Sequence, residues 1–600
     1  MKFLHGFRLR RPAAALAVVT VLPFFAGLGV AQRASVVPAD ADVETITHAL
    51  GRLTFGPRPG DVDRVRQMGL QSYIEQQLHP ERIDDSALDV RLSAMPTLAM
   101  SSRELAQKYF EPADRLNRRQ AARQTPANPA QMTPPPDQPP AARQMTAAER
   151  EIRQAAQRVT AELMQAKVLR AALSERQLEE VLVDFWFNHF NVFIGKGAVR
   201  QYITEYERDA IRPHVLGSFR DMLDATASSP AMLFYLDNFQ SRTANPPVMV
   251  SPQMEQRLRN PRLSPDERRQ LLQRIQTQQQ RRPAGGLNEN YARELMELHT
   301  LGVDGGYTQQ DVINVARVFT GWTIDQPRSG GRFVFRPQMH DMEPKMVLGQ
   351  QFVDNGGQEE GERVLDLLSA HPATARHIAF KLSQRFVADE PPASLVDRVA
   401  RVFVETKGDL RAVTEAVITS PEFFSIDAYR AKVKTPLEFV VSAVRATGAT
   451  VTNAQPLVAA AANLGMPLYG AQPPTGYSMT ADAWVNTGAL LARMNLAVQL
   501  ISGTAPLAPG QNIRGEPMPA GVQGTPARGR GRGGPQFGRN AVRIDLQALA
   551  PDTSETTRDR LIASILAGQA SAGTRETLAR AESPQQLLAL TLGSPEFQRR

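Results

Sequence analysis

Apolar residues recur at three- and four-residue steps in one segment of this chain after another, and this spacing restricts the fold more than any other feature. In ADVETITHALGRLTFG the spacing is followed by Val43, Ile46, Ala49, Leu50 and Leu53. The pattern returns in LEEVLVDFWFNHFNVFIG, TARHIAFKLSQRFV, TPLEFVVSAVRATG and TGALLARMNLAVQLI. Because this spacing places apolar side chains on one face of a helix, the sequence predicts a mainly α fold, built as a large multi-helix unit.

Strand patterns are few by comparison. The segment GRFVFRP alternates apolar and polar residues, and KMVLGQQF follows it after the connection QMHDMEP. Alternation with a period of two residues is typical of a half-buried strand. We therefore expect one small β-hairpin in an otherwise helical protein.

Three stretches poor in large apolar residues interrupt the helical pattern. Residues 124–144 are rich in proline, residues 241–287 in proline, glutamine and arginine, and residues 506–543 in arginine, glycine and proline. Such compositions bury too little apolar surface to offset the entropy of ordering, so we predict disordered inserts. The resulting organisation is a helical unit over 40–505, a linker over 506–543 and a C-terminal helical segment over 544–600.

The first thirty-one residues have the pattern of a secretory signal peptide. Four basic residues precede an uncharged apolar run over 13–30, which Pro23 interrupts, and small residues follow at Gly29 and Ala31. This order is the one that signal peptidase recognises, and the run is short for a membrane span. We predict cleavage, no stable membrane span afterwards, and export to the periplasm, the cell envelope or the medium.

Composition excludes several classes of function. The chain has no cysteine, which removes disulfides, thiolate metal sites and cysteine nucleophiles. Its formal net charge is +8, but residues 1–31 carry four of the positive charges and residues 527–543 five, so the remainder is close to neutral. A specific nucleic-acid binder is not indicated. The sequence also lacks a nucleophile elbow, a His-Glu-x-x-His motif, a phosphate loop and a dinucleotide fingerprint.

The densest polar cluster is NENYARELMELHTLG, residues 288–302. On a helix, Asn290, Glu294 and Glu297 share a face, and two carboxylates there suit acid–base chemistry or metal binding. The alternative is structural, because Arg293 lies four residues from both Glu289 and Glu297 and favours two ion pairs. The sequence leaves both interpretations open. We expect this helix at the centre of the fold, with its polar face against the loop at His340.

Four other segments contain candidate residues. Thr308 and Asp311 have capping-box spacing, whereas Arg317 has no ready local role. His189 lies among aromatic residues in FWFNHF, where a buried structural histidine is the alternative to a ligand. In FRPQMHDMEPK an acid, a base and a cation share one loop, a pattern typical of a site: His340, Asp341 and Lys345. Trp484 precedes the last long helix, which Asn486 can cap.

Several of these motifs, in the order in which they occur, carry a resemblance to a known family. They are FWFNHF, NENYARELMELHTLGVDGGYTQQDVINVARVFTGW, HDMEPKMVLG and DAWVNTGALLARMN. Over residues 48–501 the chain resembles the bacterial family called domain of unknown function 1800. The resemblance implies a large exported protein, encoded beside a sulfatase- or phosphatase-like protein of the family called domain of unknown function 1501. It implies no established reaction, and no catalytic residue can be transferred.

Three functions are therefore compatible with the sequence. The first is a hydrolase of an extracellular or envelope polymer, the second a non-catalytic partner or chaperone of the sulfatase-like protein, and the third an envelope scaffold. For the hydrolase, the expected catalytic residues are Glu294, His340 and Asp341. The expected substrate-binding residues are Asn290, Arg317, Lys345 and Trp484. If a divalent metal takes part, its candidate ligands are His189, Glu294, His340 and Asp341.

Overall fold

The computed structural model describes residues 36–124, 145–243, 286–353, 356–502 and 541–600, with a few positions between 256 and 273. Within this part of the chain, Val37–Arg600 forms one compact unit. The predicted signal peptide lies outside the described residues, as do the larger parts of the three predicted inserts. None of the described helices combines the length and the apolar character needed to cross a membrane.

The described unit is mainly helical, which confirms the predicted fold class. Its first half contains eleven α-helices: α1 (Val43–Leu53), α2 (Asp61–Met68), α3 (Leu70–Leu78), α4 (Ser86–Leu92), α5 (Ser102–Leu105), α6 (Glu111–Gln124), α7 (Ala147–Leu173), α8 (Gln177–His189), α9 (Val199–Glu205), α10 (Phe219–Ala227) and α11 (Pro230–Tyr235). Two π-helical segments, Ala106–Phe110 and Tyr206–Ile211, follow α5 and α9 directly.

The second half of the unit continues in the same manner. Its helices are α12 (Glu289–Glu297), α13 (Gln309–Val318), α14 (Gln358–Ser369), α15 (Pro372–Phe386), α16 (Ala393–Glu405), α17 (Leu410–Ile418), α18 (Pro436–Ala446), α19 (Gln455–Asn463), α20 (Thr487–Ser502), α21 (Leu546–Leu549), α22 (Glu555–Ile565), α23 (Ala572–Ala579) and α24 (Pro584–Gly593). Most buried apolar side chains of both halves belong to one continuous core, whose largest fully buried members include Trp186 and Trp322.

Local sequence explains where several helices begin. Thr308 and Asp311 form the predicted capping box of α13, each side chain accepting a hydrogen bond from the other residue's backbone N–H. Ser264 and Glu267 form another, with Ser264 N donating to the Glu267 carboxylate at 2.9 Å. Both boxes satisfy N–H groups that a helix start would otherwise leave without an acceptor.

The β content differs from the prediction of one hairpin. Three two-stranded antiparallel sheets pair β1 (Trp322–Ile324) with β2 (Phe333–Phe335), β3 (Lys345–Val347) with β4 (Gln350–Phe352), and β5 (Thr450–Val451) with β6 (Val542–Arg543). The two segments expected to pair with each other therefore pair locally instead. The reason lies at Gly321, whose φ of +84° turns the chain directly after α13 into β1, so that β2 already has a partner.

The C-terminal segment packs on the rest of the unit through α24, which lies along α20. A buried carboxylate reinforces this contact from inside. Arg385 Nη1 of α15 and Arg600 Nη2 lie 2.6 Å and 3.1 Å from the same oxygen of Glu438. The other oxygen of Glu438 accepts the Thr435 backbone N–H at 2.8 Å, which caps α18. One side chain thereby links α15, α18 and the end of the chain.

Replacing Glu438 tests how much this link contributes. Glu438→Gln keeps the shape of the side chain but leaves Arg385 and Arg600 buried without a counter-charge, and breaking a buried pair in this way costs about 3–5 kcal/mol. We expect the free energy of unfolding, measured with urea, to fall by that amount. The control is Glu576→Gln, whose ion pair with Arg580 is exposed, and exposed pairs contribute less than about 1 kcal/mol. Equal losses in both variants would contradict the assignment.

Candidate functional site

The structure brings four of the predicted site residues together around the loop after β2: Arg317, His340, Asp341 and Lys345. His340 is fully buried, and its Nδ1 lies 2.8 Å from the carbonyl oxygen of Thr320, to which it donates. Its Nε2 lies 3.3 Å from Glu360 Oε2. Gly321 allows this approach, because a Cβ there would lie 3.3 Å from His340 Cβ and 2.8 Å from a backbone oxygen. No pattern in the sequence points to Glu360, which belongs to α14.

Two ion pairs complete this cluster. Lys345 Nζ donates to Glu360 Oε2 at 2.7 Å and to the Asp341 carbonyl at 2.5 Å. Arg317 donates to both carboxylate oxygens of Asp341, at 3.1 Å and 3.0 Å. Burial alone would raise the pKa of Glu360, but the contacts with His340 and Lys345 outweigh it and hold that pKa below its usual value. The pKa of Asp341 is lowered in the same way, by Arg317 and a backbone N–H.

This arrangement is an internal ion-pair network rather than an open site. The side chains of His340, Lys345 and Glu360 are at most 1% exposed, so a substrate in solution does not reach them. Each charged group faces a partner of opposite charge, which is the condition for keeping charges inside a protein. The network ties α13 and α14 to β3.

The motif NENYARELMELHTLG contains α12, and polar side chains of this helix bind residues outside the His340 loop. Gln309 donates to Glu289 at 2.8 Å and accepts from Arg293 at 2.7 Å, while Tyr307 donates to Glu297 at 3.0 Å. These contacts replace the two ion pairs expected within the helix. Within the described residues, α12 makes no hydrogen bond to the His340 loop, because α13 packs against α12 on one side and against β3 on another.

Glu294 is partly buried, and no cation forms an ion pair with it in the described part of the chain. Its pKa is raised by burial first and then by the neighbouring Glu297, against the opposing effect of Arg293. Asn290, on the same helix, is exposed. The expected contact of Glu294 with His340 and Asp341 is therefore absent from the described part of the chain.

His189 has a structural partner. Its Nε2 lies 3.2 Å from the carbonyl of His299, and His377 Nε2 lies 3.2 Å from the carbonyl of Leu298. Two buried imidazoles thus donate to carbonyls that the end of α12 leaves without helical partners. Burial lowers the pKa of His189 and His377, the latter to about 4, so both rings are neutral at neutral pH.

The four candidate metal ligands are not assembled into one group. His189 lies beside His299 and His377, Glu294 lies on α12, and His340 and Asp341 belong to the network with Glu360. Over the residues that the structure describes, no three histidine, aspartate or glutamate side chains are placed to share a metal ion. Trp484 also has a structural contact, since its indole N–H donates to the Ser478 carbonyl at 2.9 Å. Asn486 caps α20 as expected.

The structure contains a groove that the sequence did not reveal, about 530 Å³ in volume. We call it the Tyr202 groove. Four segments form its walls: the start of α5, the end of α9 with the π-helical Tyr206–Ile211, residues 228–230, and residues 330–333. A π-helical segment is rare and frequently marks a functional position. Tyr202, one of the lining residues, donates a hydrogen bond from its hydroxyl to the Pro327 carbonyl at 2.9 Å.

Both negatively and positively charged side chains line the groove. Glu205 and Asp209, four residues apart, provide carboxylates, and Arg103 and Arg332 are exposed cations. Glu205 accepts the Ser102 backbone N–H at 2.8 Å and also the Ser102 hydroxyl. Asp209 accepts two hydrogen bonds from Arg208, at 2.7 Å and 2.6 Å. The spacing of the two carboxylates was visible in the sequence, but nothing there showed that a groove would form beside them.

Comparison with protein families gives one result that covers nearly the whole chain. The family described as protein of unknown function (DUF1800) matches residues 48–599. The match includes α12, the His340 network, most walls of the groove and the C-terminal helices. Comparisons with curated proteins and with solved structures gave no match.

The His340 network makes a prediction about acid stability. Because the pKa of Glu360 is lowered in the folded protein, its ionised form contributes stability above about pH 4.5, and this contribution is lost as the pH falls through the folded pKa. Glu360→Gln should reduce the free energy of unfolding at pH 7 by about 3–5 kcal/mol, since Lys345 stays buried without its pair. Below pH 4.5 the variant should lose less further stability than the wild type.

Urea unfolding between pH 3 and pH 7 measures both effects. The matched control is Glu343→Gln, because Glu343 belongs to the same loop but its side chain is 74% exposed. Parallel pH profiles for Glu360→Gln and the wild type would contradict the assigned role of Glu360.

Glu294 should behave in the opposite way. Because its pKa is raised in the folded state, its charge does not favour folding at neutral pH. Glu294→Gln should therefore unfold at an equal or higher urea concentration at pH 7. A loss of stability as large as that of Glu360→Gln would mean that the Glu294 carboxylate has a stabilising partner.

Proposed function

We infer, for a chain that belongs to the DUF1800 family of proteins of unknown function, that its function is to bind a polymer rather than to cleave one. In this proposal the protein acts outside the cytoplasm and holds a segment of an envelope or extracellular polysaccharide in the Tyr202 groove. The proposal rests on the groove itself and on the hydrogen bonds that its two carboxylates, Glu205 and Asp209, already accept.

The size and lining of the groove suit such a ligand. A volume of about 530 Å³ falls within the range of about 300–1,000 Å³ that is typical of ligand sites. Among the aromatic residues that line it, Phe333 is half-buried and can pack against the apolar face of a sugar ring, whereas Tyr202 and Tyr206 are each only 2% exposed. The rim adds Glu205, Asp209 and Arg332, whose charged groups can accept or donate hydrogen bonds to hydroxyls.

The same carboxylates argue against hydrolysis. Glycoside hydrolysis needs one carboxylic acid that donates a proton and a second carboxylate that acts as a base or nucleophile. Glu205 already accepts an N–H and an O–H from Ser102, and Asp209 is held by both donors of Arg208. Both carboxylates are therefore already engaged by hydrogen-bond donors of the protein itself. Of the catalytic candidates named from the sequence, His340 and Asp341 lie in the buried ion-pair network, and Glu294 does not meet them.

Export is part of the proposal and rests on the signal-like residues 1–31. A role beside a sulfatase-like protein remains the alternative, since a polymer-binding protein could present its ligand to such an enzyme. The alternative predicts that the sulfatase-like protein itself binds this chain, whereas the groove proposal predicts binding of a polysaccharide by this chain alone.

Binding and cleavage can be measured on the same preparation. We expect the mature protein to bind a neutral hexasaccharide, such as cellohexaose or chitohexaose, in isothermal titration calorimetry without releasing new reducing ends. Asp209→Asn should weaken binding about tenfold, the loss expected for one hydrogen bond to a charged group. Arg332→Ala should have a similar effect.

The control is Arg336→Ala, which removes an exposed arginine beyond the other end of β2, outside the groove. It should bind as the wild type does. Absence of binding to every oligosaccharide at millimolar concentration would overturn the proposal. Release of reducing ends that is lost in Glu205→Gln or Asp209→Asn would replace it with the hydrolase.

A further inference from the structure

A second cleft is formed by residues from the first helix, from 429–446 and from the last part of the chain, and its charged lining residues are mostly cations. We call it the Lys434 cleft. Its walls are formed by α1, residues 56–57 in the loop before α2, residues 429–434, α18 and the last residues of the chain. The side chains that bear on its chemistry are His48, Arg430, Lys434, Glu596, Phe597 and Arg600. It shares no lining residue with the Tyr202 groove.

Lys434 is a buried lysine whose charge the carboxylate of Glu438 favours without bonding to it. It is 8% exposed, and within the described residues its ammonium group makes no hydrogen bond and no ion pair. Its Nζ lies 3.7 Å from the centre of the Phe597 ring, a cation–π contact that stabilises the charge only in part. Burial lowers the pKa of Lys434 to about 7. Keeping a lysine in such a place costs free energy unless an anion joins it.

Arg600 and His48 also present unpaired polar atoms. Both are more than nine-tenths buried. Arg600 uses Nη2 for Glu438, but its Nε and Nη1 have no hydrogen-bond partner in the described part of the chain. His48 Nε2 lies 2.8 Å from the Phe423 carbonyl and therefore bears the proton, which leaves Nδ1 as an acceptor without a partner.

The carboxylates around the cleft are already occupied. Glu438 binds Arg385, Arg600 and the start of α18. Glu596 accepts hydrogen bonds from the Ser571 backbone and the Thr574 hydroxyl, at 2.9 Å to 3.0 Å. Neither carboxylate forms an ion pair with Lys434 within the described residues. Arg430, at the rim, adds a further cation.

We propose that the Lys434 cleft binds a tetrahedral oxyanion that carries a proton, namely inorganic phosphate. Lys434 and Arg600, which both line the cleft, would bind the charged oxygens through N–H groups that have no acceptor within the described residues. The cleft holds about 60 Å³, room for about four water molecules, and a five-atom oxyanion fits that space.

His48 distinguishes phosphate from sulfate. At neutral pH phosphate retains an O–H group, which can donate to the unpartnered Nδ1 of His48, whereas sulfate has no proton to donate. Burial holds the pKa of His48 near 4, so Nδ1 remains an acceptor at neutral pH. The unpartnered Nδ1 of His48 can therefore bond only to an anion that carries a proton.

Binding should also be coupled to proton uptake. An anion beside Lys434 raises the pKa of its ammonium group, so a fraction of neutral lysine takes up a proton at pH 7 to 8. The charged groups near this lysine are Arg430 from the preceding segment, Glu438 from α18, Arg493 from α20, and Glu596, Arg599 and Arg600 from the end of the chain, together with the neutral His48 of α1. Glu438 is paired with Arg385 and Arg600, whereas Glu596 accepts hydrogen bonds and has no ion pair in the described residues. Neither carboxylate bonds to Lys434, so the added anion is the main change.

The test is isothermal titration calorimetry of the mature protein with sodium phosphate, sodium sulfate and glycerol 3-phosphate. We expect phosphate to bind at least tenfold more tightly than sulfate, with net proton uptake when buffers of different ionisation enthalpy are compared at pH 7.5. Glycerol 3-phosphate should bind more weakly than phosphate, because the phosphate group of the ester is mostly an unprotonated dianion at pH 7.5, and tighter binding of the ester would overturn the proposal. Equal affinity for phosphate and sulfate would overturn the role given to His48.

Lys434→Met should weaken phosphate binding at least tenfold. The matched control is Lys381→Met, because Lys381 is also a partly buried lysine without an ion pair in the described residues, with its pKa lowered by burial, yet it does not line the cleft. It should bind phosphate within twofold of the wild type. Equal binding by Lys434→Met and the wild type would overturn the proposal.

A measurement on the unaltered chain keeps the test independent of how the variants fold. Millimolar phosphate should raise the melting temperature of the wild-type protein by more than an equal concentration of sulfate, because a ligand that binds only the folded state stabilises it. No heat of binding and no rise in melting temperature at millimolar phosphate would overturn the proposal outright.

Discussion

The buried carboxylate of Glu438 is the interaction on which the arrangement of the helices most depends. Its two oxygens bind Arg385 of α15, Arg600 at the end of the chain and the backbone that begins α18. These partners are far apart in sequence, so the ion pairs form only when α15, α18 and the C-terminal helices have packed together. Arg52 of α1, fully buried, lies close enough for the same carboxylate to stabilise its charge. The carboxylate of Glu438 therefore stabilises positive charges from the first helix and from the end of the chain.

The same principle operates elsewhere in the core. Glu180 of α8 accepts two hydrogen bonds from Arg212, at 2.7 Å and 3.0 Å, and Lys345 of β3 donates to Glu360 of α14. In each case a buried charge has a partner on another element, as the cost of desolvation requires. The mainly helical fold is therefore joined by a set of internal ion pairs as well as by apolar packing. Against this background a buried cation with no partner, such as Lys434, is an exception that needs its own explanation.

Local features of the structure could be predicted from the sequence, whereas long-range partners could not. The helical class followed from apolar spacing, and the cap residues Thr308 and Asn486 followed from their distance to the first helical turn. The hairpin prediction failed because strand pairing depends on which segment the turn at Gly321 brings close. Glu294 and His340 are separated by α13 in space, and no pattern in either motif shows that separation. The Tyr202 groove was invisible for the same reason, since its walls come from four distant segments.

Burial without an ion pair is not enough to identify a binding site, and Lys381 shows why. Its pKa is lowered by burial, as that of Lys434 is, but the titratable groups beside it include the neutral imidazoles of His189 and His377, and it lines neither of the clefts described above. Lys434 differs in its surroundings. Unused donors of Arg600 and an unused acceptor of His48 line the same cleft, so donors and an acceptor of matching chemistry occur together. A protein gains nothing in stability by collecting unsatisfied polar groups around one space. Their coincidence is explained if an oxyanion with a proton occupies that space and satisfies them at once.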